Sequence, residues 1–301
     1  MSINRQLLER RLDLAWSLWT GLGVPGQIDR HADHAIDPEA LIVFTAALGD
    51  EDPRLRDEAT DWCIRYGSLI SGARLKNLVS CESQIVQERY GELAATVAAH
   101  SSLRWPEKTK ARKYSPRERP KIPAFNRRSQ LVLRLRGAFG TSARAEIVRA
   151  FLASPDAAFS AADLATETHF TKRNVAQILD ALRLAGMVRA IPHRNQFHYR
   201  LSDEHAGRVR ELLAPMPTVF VRWPYALHII TAATEAMKQF ESSSQVVRSV
   251  EIRSVFDKLN TSLYKAHLAG PKADVHGPEF WDEFISWLEK TVENLATGNV
   301  R

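Results

Sequence analysis

The stretch "FTKRNVAQILDALRLAGMVRAIPHRNQFHYRL", residues 170–201, decides how this chain is read. Thr171 can accept a free backbone amide at a helix start. Val175, Ile178, Leu179 and Leu182 then recur at three- and four-residue spacing, which predicts a helix with one apolar face from Thr171 to Ala185. Gly186 suits the left-handed residue that ends a helix. Beyond it, Met187–Ile191 and Gln196–Leu201 predict two short strands, joined by a turn at Pro192, His193, Arg194 and Asn195.

Working outward, Ser142 opens a helix to Ala153 with Ile147, Val148, Phe151 and Leu152 inside. Ser160 opens a shorter one to Thr168 over Leu164 and Ala165. Three helices and a hairpin in about 60 residues follow the plan of a winged helix-turn-helix. In that plan the second helix of the pair lies in the DNA major groove, its amino-terminal residues toward base edges. With the apolar positions turned inward, Lys172, Arg173, Asn174 and Gln177 are left outside. Arginine and lysine suit guanine acceptors, and asparagine and glutamine suit adenine, so these four are the candidate base readers. Thr171 at the cap and His193 and Arg194 at the hairpin tip are candidate phosphate or wing contacts.

These residues also resemble a family. In the winged helix of bacterial ArsR- and MarR-type transcriptional regulators, a Leu-Ala pair precedes a Ser or Thr that starts the recognition helix. A Leu-x-x-x-Gly-hydrophobic-Val step follows, and an aromatic near a Leu ends the wing. Leu164-Ala165, Thr171, Leu182, Gly186-Met187-Val188 and Tyr199-Arg200-Leu201 are similar to that pattern. The resemblance covers residues 142–201 and implies a DNA-binding fold. It departs from the metal-sensing members, whose second helix carries a cysteine pair.

Charge singles out the same region. Residues 104–201 carry 20 basic and 7 acidic side chains, against 10 and 15 in residues 1–103 and 11 and 13 in residues 202–301. A basic block between acidic flanks suits a polyanion-binding module. Within it, residues 104–128 combine four prolines with 10 basic and two acidic residues, which predicts an extended connector. Lys110, Arg112, Lys113, Arg127 and Arg128 are its candidate phosphate contacts.

The flanks read as helix. Ile3–Trp19 has a one-face apolar pattern, Asp37-Pro38 and Asp52-Pro53 each announce a helix start, and helices follow near 74–79 and 83–99. After a break at Pro215-Met216-Pro217 come helices near 225–240, 246–269 and 278–296. The expected fold is mainly α. It comprises a helical amino-terminal domain (1–100), a basic connector (101–130), a winged helix-turn-helix domain (131–214) and a helical carboxy-terminal domain (215–301) for dimerisation or effector binding.

Other chemistry finds little support. "DRHADHAIDP" gathers Asp29, His31, Asp33, His34 and Asp37, but ahead of a capped helix it reads as a polar loop rather than a metal site. No phosphate-binding glycine loop, catalytic carboxylate pair or cofactor motif is present, so a non-enzyme without a cofactor is expected. Cys63 and Cys81 lie in apolar-patterned stretches and are expected as two buried thiols in a reducing cytosol. No apolar run reaches membrane-spanning length, and charges interrupt the first 16 residues where a signal peptide would be uninterrupted. The expectation is a cytoplasmic, sequence-specific regulator that binds double-stranded DNA. It would act as a repressor and a homodimer and take a small-molecule or protein effector. The competing expectation is an antitoxin-like or protein-docking component of a defence or toxin system.

Overall fold

The helix starts follow the caps. The structure is a computed structural model that describes residues 3–106, 109–117, 122–272 and 274–299. Asp37 accepts the Ala40 amide (3.1 Å) at the head of α2 (Pro38–Leu48), and Asp52 accepts that of Leu55 (3.0 Å) at the head of α3 (Pro53–Tyr66). With α1 (Ile3–Gly21), α4 (Gly72–Val79) and α5 (Gln84–Ala99) they form the amino-terminal helices. After the connector come α6 (Leu131–Phe139), α7 (Ala143–Ala153), β1 (Phe159–Ser160), α8 (Ala161–Thr168), α9 (Lys172–Leu184), β2 (Val188–His193), β3 (Gln196–Leu201) and α10 (Asp203–Leu212). The chain closes with α11 (Trp223–Phe240), α12 (Gln245–Ala266) and α13 (Phe280–Thr297). The described residues are mainly helical with one small antiparallel sheet, of order β1-β3-β2. None of the described helices is long and apolar enough to cross a membrane.

Several elements differ from their sequence reading. Leu131–Phe139, to which the sequence reading assigns no element, is helical. It coils into α6, burying Leu131, Val132, Leu133, Leu135 and Arg136 together. The two-residue β1, too short for a periodic signal, pairs Phe159 with Tyr199. β2 runs on to His193, so the turn shrinks to Arg194-Asn195; Pro192 is tolerated because β2 is an edge strand. α12 stops at Ala266, where His267 turns left-handed. Cys63 is buried as expected, but Cys81 lies exposed in the turn after α4.

Two apolar cores result. The first joins α1–α5 to α11–α13, so residues 1–100 and 215–301, read separately in sequence, share one interior. Trp19, Trp62 and Trp223 are wholly enclosed there. Trp19 meets Trp62 edge-on at 5.4 Å, and Trp223 Nε1 donates to the Ala35 carbonyl (3.0 Å). The second core fills α6–α10 and the sheet.

A chain of buried charges crosses the seam between the cores. Arg74 on α4 pairs with Asp37 (2.5 Å) and Glu39 (3.0 Å) of α2's first turn. Arg136 on α6 pairs with Glu39 and with Glu146 on α7 (2.8 Å). Arg149 takes Glu146 (2.8 Å) and Glu167 on α8 (3.3 Å), and Glu167 reaches Arg222 ahead of α11 (3.0 Å). Burial alone would lower the Arg74 guanidinium, but Asp37, Glu146 and Glu39 outweigh it and hold it above its ordinary value. Burial would likewise raise Glu146, yet Arg74, Arg149 and Arg136 hold it below the usual carboxylate range. Such a set tolerates no gaps: losing one partner of a buried pair leaves an uncompensated charge. Glu39→Gln is therefore expected to destabilise by about 3–5 kcal/mol in urea titrations at neutral pH. Glu146, with its folded value depressed, stabilises above its unfolded value near 4, and that contribution is lost as pH falls below it. Glu146→Gln should flatten acid unfolding in that window.

His31 ties the first core together. Its Nε2 donates to the Leu295 carbonyl (2.8 Å) and its Nδ1 accepts the Ser17 hydroxyl (2.7 Å). Burial lowers the ring to about 4, partly opposed by the Leu295 carbonyl and reinforced by His34 and Arg30. An unfolded histidine takes its proton near pH 6.5, so stability falls as pH drops from there toward 4. His31→Gln is expected to remove part of that slope when denaturation is repeated between pH 7 and 4.5.

Candidate nucleic-acid interface

α9 is built as its sequence suggests. Thr171 Oγ1 accepts the Asn174 amide (3.3 Å), and Val175, Leu179 and Leu182 are buried against α7 and α8. Lys172, Arg173 and Gln177 stand exposed on the opposite side, and Thr171 is exposed beside them. Asn174 differs: it is half-buried, its Oδ1 enclosed without a hydrogen-bond partner. A base contact from Asn174 requires that side chain to swing outward, whereas its three neighbours need no rearrangement.

The hairpin projects beyond the second core. His193 and Arg194 are exposed at its tip, and His193 stacks on His198 with ring centroids 4.7 Å apart. Ile191 and Phe197 are 45% and 53% exposed in the same hairpin, apolar surface that sequence alternation did not single out. Arg194 sits at φ 52°, a conformation that disfavours a residue carrying Cβ. The tip keeps a charged side chain where glycine would fit with less strain.

What holds α9 lies outside it. The last carbonyls of α8 lack partners within their own helix, and the first core's side chains take them. Arg74 Nε donates to Thr168 (3.0 Å), Asn77 Nδ2 to His169 (2.8 Å), and the Tyr225 hydroxyl to Thr166 (2.9 Å). His169, at φ 56° between α8 and α9, rests its ring on Tyr225 at 4.9 Å. Burial pushes the His169 imidazole down to about 3, with Arg74 adding to the effect. The turn is thus clamped from both sides, and α9's first residues take a set orientation relative to the helical body. Sequence reasoning missed Arg74, Asn77 and Tyr225, because nothing along the chain ties them to residues about 60–95 positions away. Beside this seam a cavity of about 430 Å³ opens between Phe159, Glu167, Phe220, Arg222 and His267.

Residues 109–117 of the connector form neither helix nor strand, and several of the connector's basic side chains are paired within the chain. Arg112 pairs with Asp57 (2.8 Å) and lies over the Tyr114 ring at 4.5 Å. Tyr114 donates to Asp61 (2.6 Å), Arg127 pairs with Asp29 (3.2 Å), and Arg128 pairs with Asp33 (2.6 Å). Carboxylates of residues 1–103 thus pair with part of the connector's excess base. Arg112, Arg127 and Arg128 are engaged within the chain, while Lys110 and Lys113 are exposed. Arg117 also pairs with Asp57 (3.3 Å), Arg104 donates to the Leu103 carbonyl (2.8 Å), and Lys108, Arg119 and Lys121 fall outside the described residues. In the "DRHADHAIDP" loop, Asp29, Asp33 and Asp37 hold arginines and His31 holds Ser17 and Leu295. His34 meets His31 edge-on at 4.8 Å.

Compared with known proteins, the chain matches no family model, no curated sequence and no solved structure.

Arg194→Gly should relieve the turn and raise stability by about 1 kcal/mol in chemical denaturation. A loss of stability would show that the arginine side chain, rather than backbone freedom, holds the tip.

Proposed function

We propose that residues 142–201 form a winged helix-turn-helix that binds double-stranded DNA, and that the protein is a sequence-specific transcription regulator. The observation that carries this reading is the open amino-terminal turn of α9. Lys172, Arg173 and Gln177 face solvent there, on a helix whose other side is locked into the core. The element order α7-β1-α8-α9-β2-β3, with sheet order β1-β3-β2, supports it. A winged helix runs its strands in that way, so that the hairpin flanks the recognition helix. Arg194 and His193 at the tip then meet backbone or minor groove. The cavity at the seam, bounded by Glu167, Arg222 and His267, is where a small molecule would act on α8 and through it on α9.

Fluorescence anisotropy on the DNA upstream of its own coding sequence, against scrambled DNA over a salt series, tests the reading. Upstream DNA should win by about a thousandfold or more. Lys172→Ala/Arg173→Ala should erase that preference and reduce the salt slope. Arg128→Ala, which removes an internally paired arginine, should leave the preference intact. Weak binding that ignores both sequence and the α9 variant would refute the regulator and favour the protein-docking alternative.

A further inference from the structure

We propose that the outer face of α12 binds a second copy of this chain, antiparallel, about a two-fold axis centred between Ser254 and Val255. α12 buries Ile252, Leu259 and Leu263 in the first core. Its opposite face carries Val246 and Val250, each 62% exposed, and Tyr264 at 84%, with Val247 about half exposed. Val246, Val247 and Val250 thus form an exposed apolar cluster at one end of the helix, with Tyr264 exposed at the other, and apolar surface of that kind marks an interaction site. Among the described residues nothing covers it.

The arrangement of this face selects the occupant. With 100° between successive residues, Val246, Val250, Asp257 and Tyr264 line one edge of the outer face, and Val247, Glu251 and Lys258 line the other. A two-fold rotation perpendicular to the helix sets each edge against its own copy, running in the opposite direction. Val246 and Val250 then meet the partner's Tyr264, and Glu251 meets the partner's Lys258; symmetry repeats both contacts. A parallel pairing, about an axis along the helices, would instead set each edge against the other, so Glu251 and Lys258 would face the partner's Val250 and Tyr264 edge and lose each other. The charges therefore favour the antiparallel direction. The helix is 22 residues long, or about 33 Å, enough for both contacts to form at the two ends of one pairing. The purpose of such a dimer rests on the DNA-binding reading, since two recognition helices would meet two half-sites about one DNA turn apart. The surface itself stands on α12 alone.

Sedimentation equilibrium of the full chain without DNA tests it. The wild type should be a dimer. Val250→Glu should be a monomer, and its circular dichroism melt should match the wild type because the position is exposed. Glu251→Lys and Lys258→Glu should each weaken the dimer by about tenfold, and the two together should restore it. A monomeric wild type, or a dimer indifferent to Val250→Glu and to charge reversal, would overturn the proposal. Lys172→Ala/Arg173→Ala should dimerise like the wild type. A dimer of this kind that ignores DNA would sink the regulator and leave the interface standing. A monomer that recognises upstream DNA would do the reverse.

Discussion

Arg136 sets the terms for the molecule. It is buried on α6 between Glu39 of α2 and Glu146 of α7, and Arg74 and Arg149 continue the pairing on either side. A guanidinium taken from water loses several kcal/mol of solvation, which only well-placed carboxylates can offset. The pairing is complete only when α2, α4, α6, α7 and α8 are all in position. Hydrophobic packing would tolerate small rotations between the two cores; this chain of charges does not. It gives the junction one arrangement rather than a family of them.

That single arrangement reaches α9 through the end of α8. Arg74 serves both ends of the connection, pairing with Asp37 and donating to the Thr168 carbonyl. Asn77 and Tyr225 take neighbouring carbonyls, so the turn at His169 and Phe170 is held by the helical body rather than by its own short sequence. A helix on such a mount keeps its first turn pre-oriented, which lowers the ordering cost of any contact that turn makes.

Charge counting located the basic third of the chain but misplaced part of its use. Arg112, Arg117, Arg127 and Arg128 of the connector pair with carboxylates of α3 and of the loop before α2. Net charge of a segment says nothing about which opposite charges the fold brings alongside it. Lys172, Arg173 and Arg194 are exposed on α9 and at the hairpin tip, as are Lys110 and Lys113 in the connector.

The sequence by itself determined the local structure around α9. A threonine cap, apolar residues at helical spacing and a stop glycine are short-range signals, and each acts through atoms only a few residues apart. The same holds for Lys172, Arg173 and Gln177, whose exposure follows from the helix period. Asn174 lies on the margin of that face, where the period alone does not decide burial. Tertiary structure decided the rest: the shared core of the two flanks, the coiling of Leu131–Phe139 as α6, and the docking of the connector. It also paired Glu39 with Arg136 across 97 positions, an attraction that is weak in water and grows once both are buried and in contact.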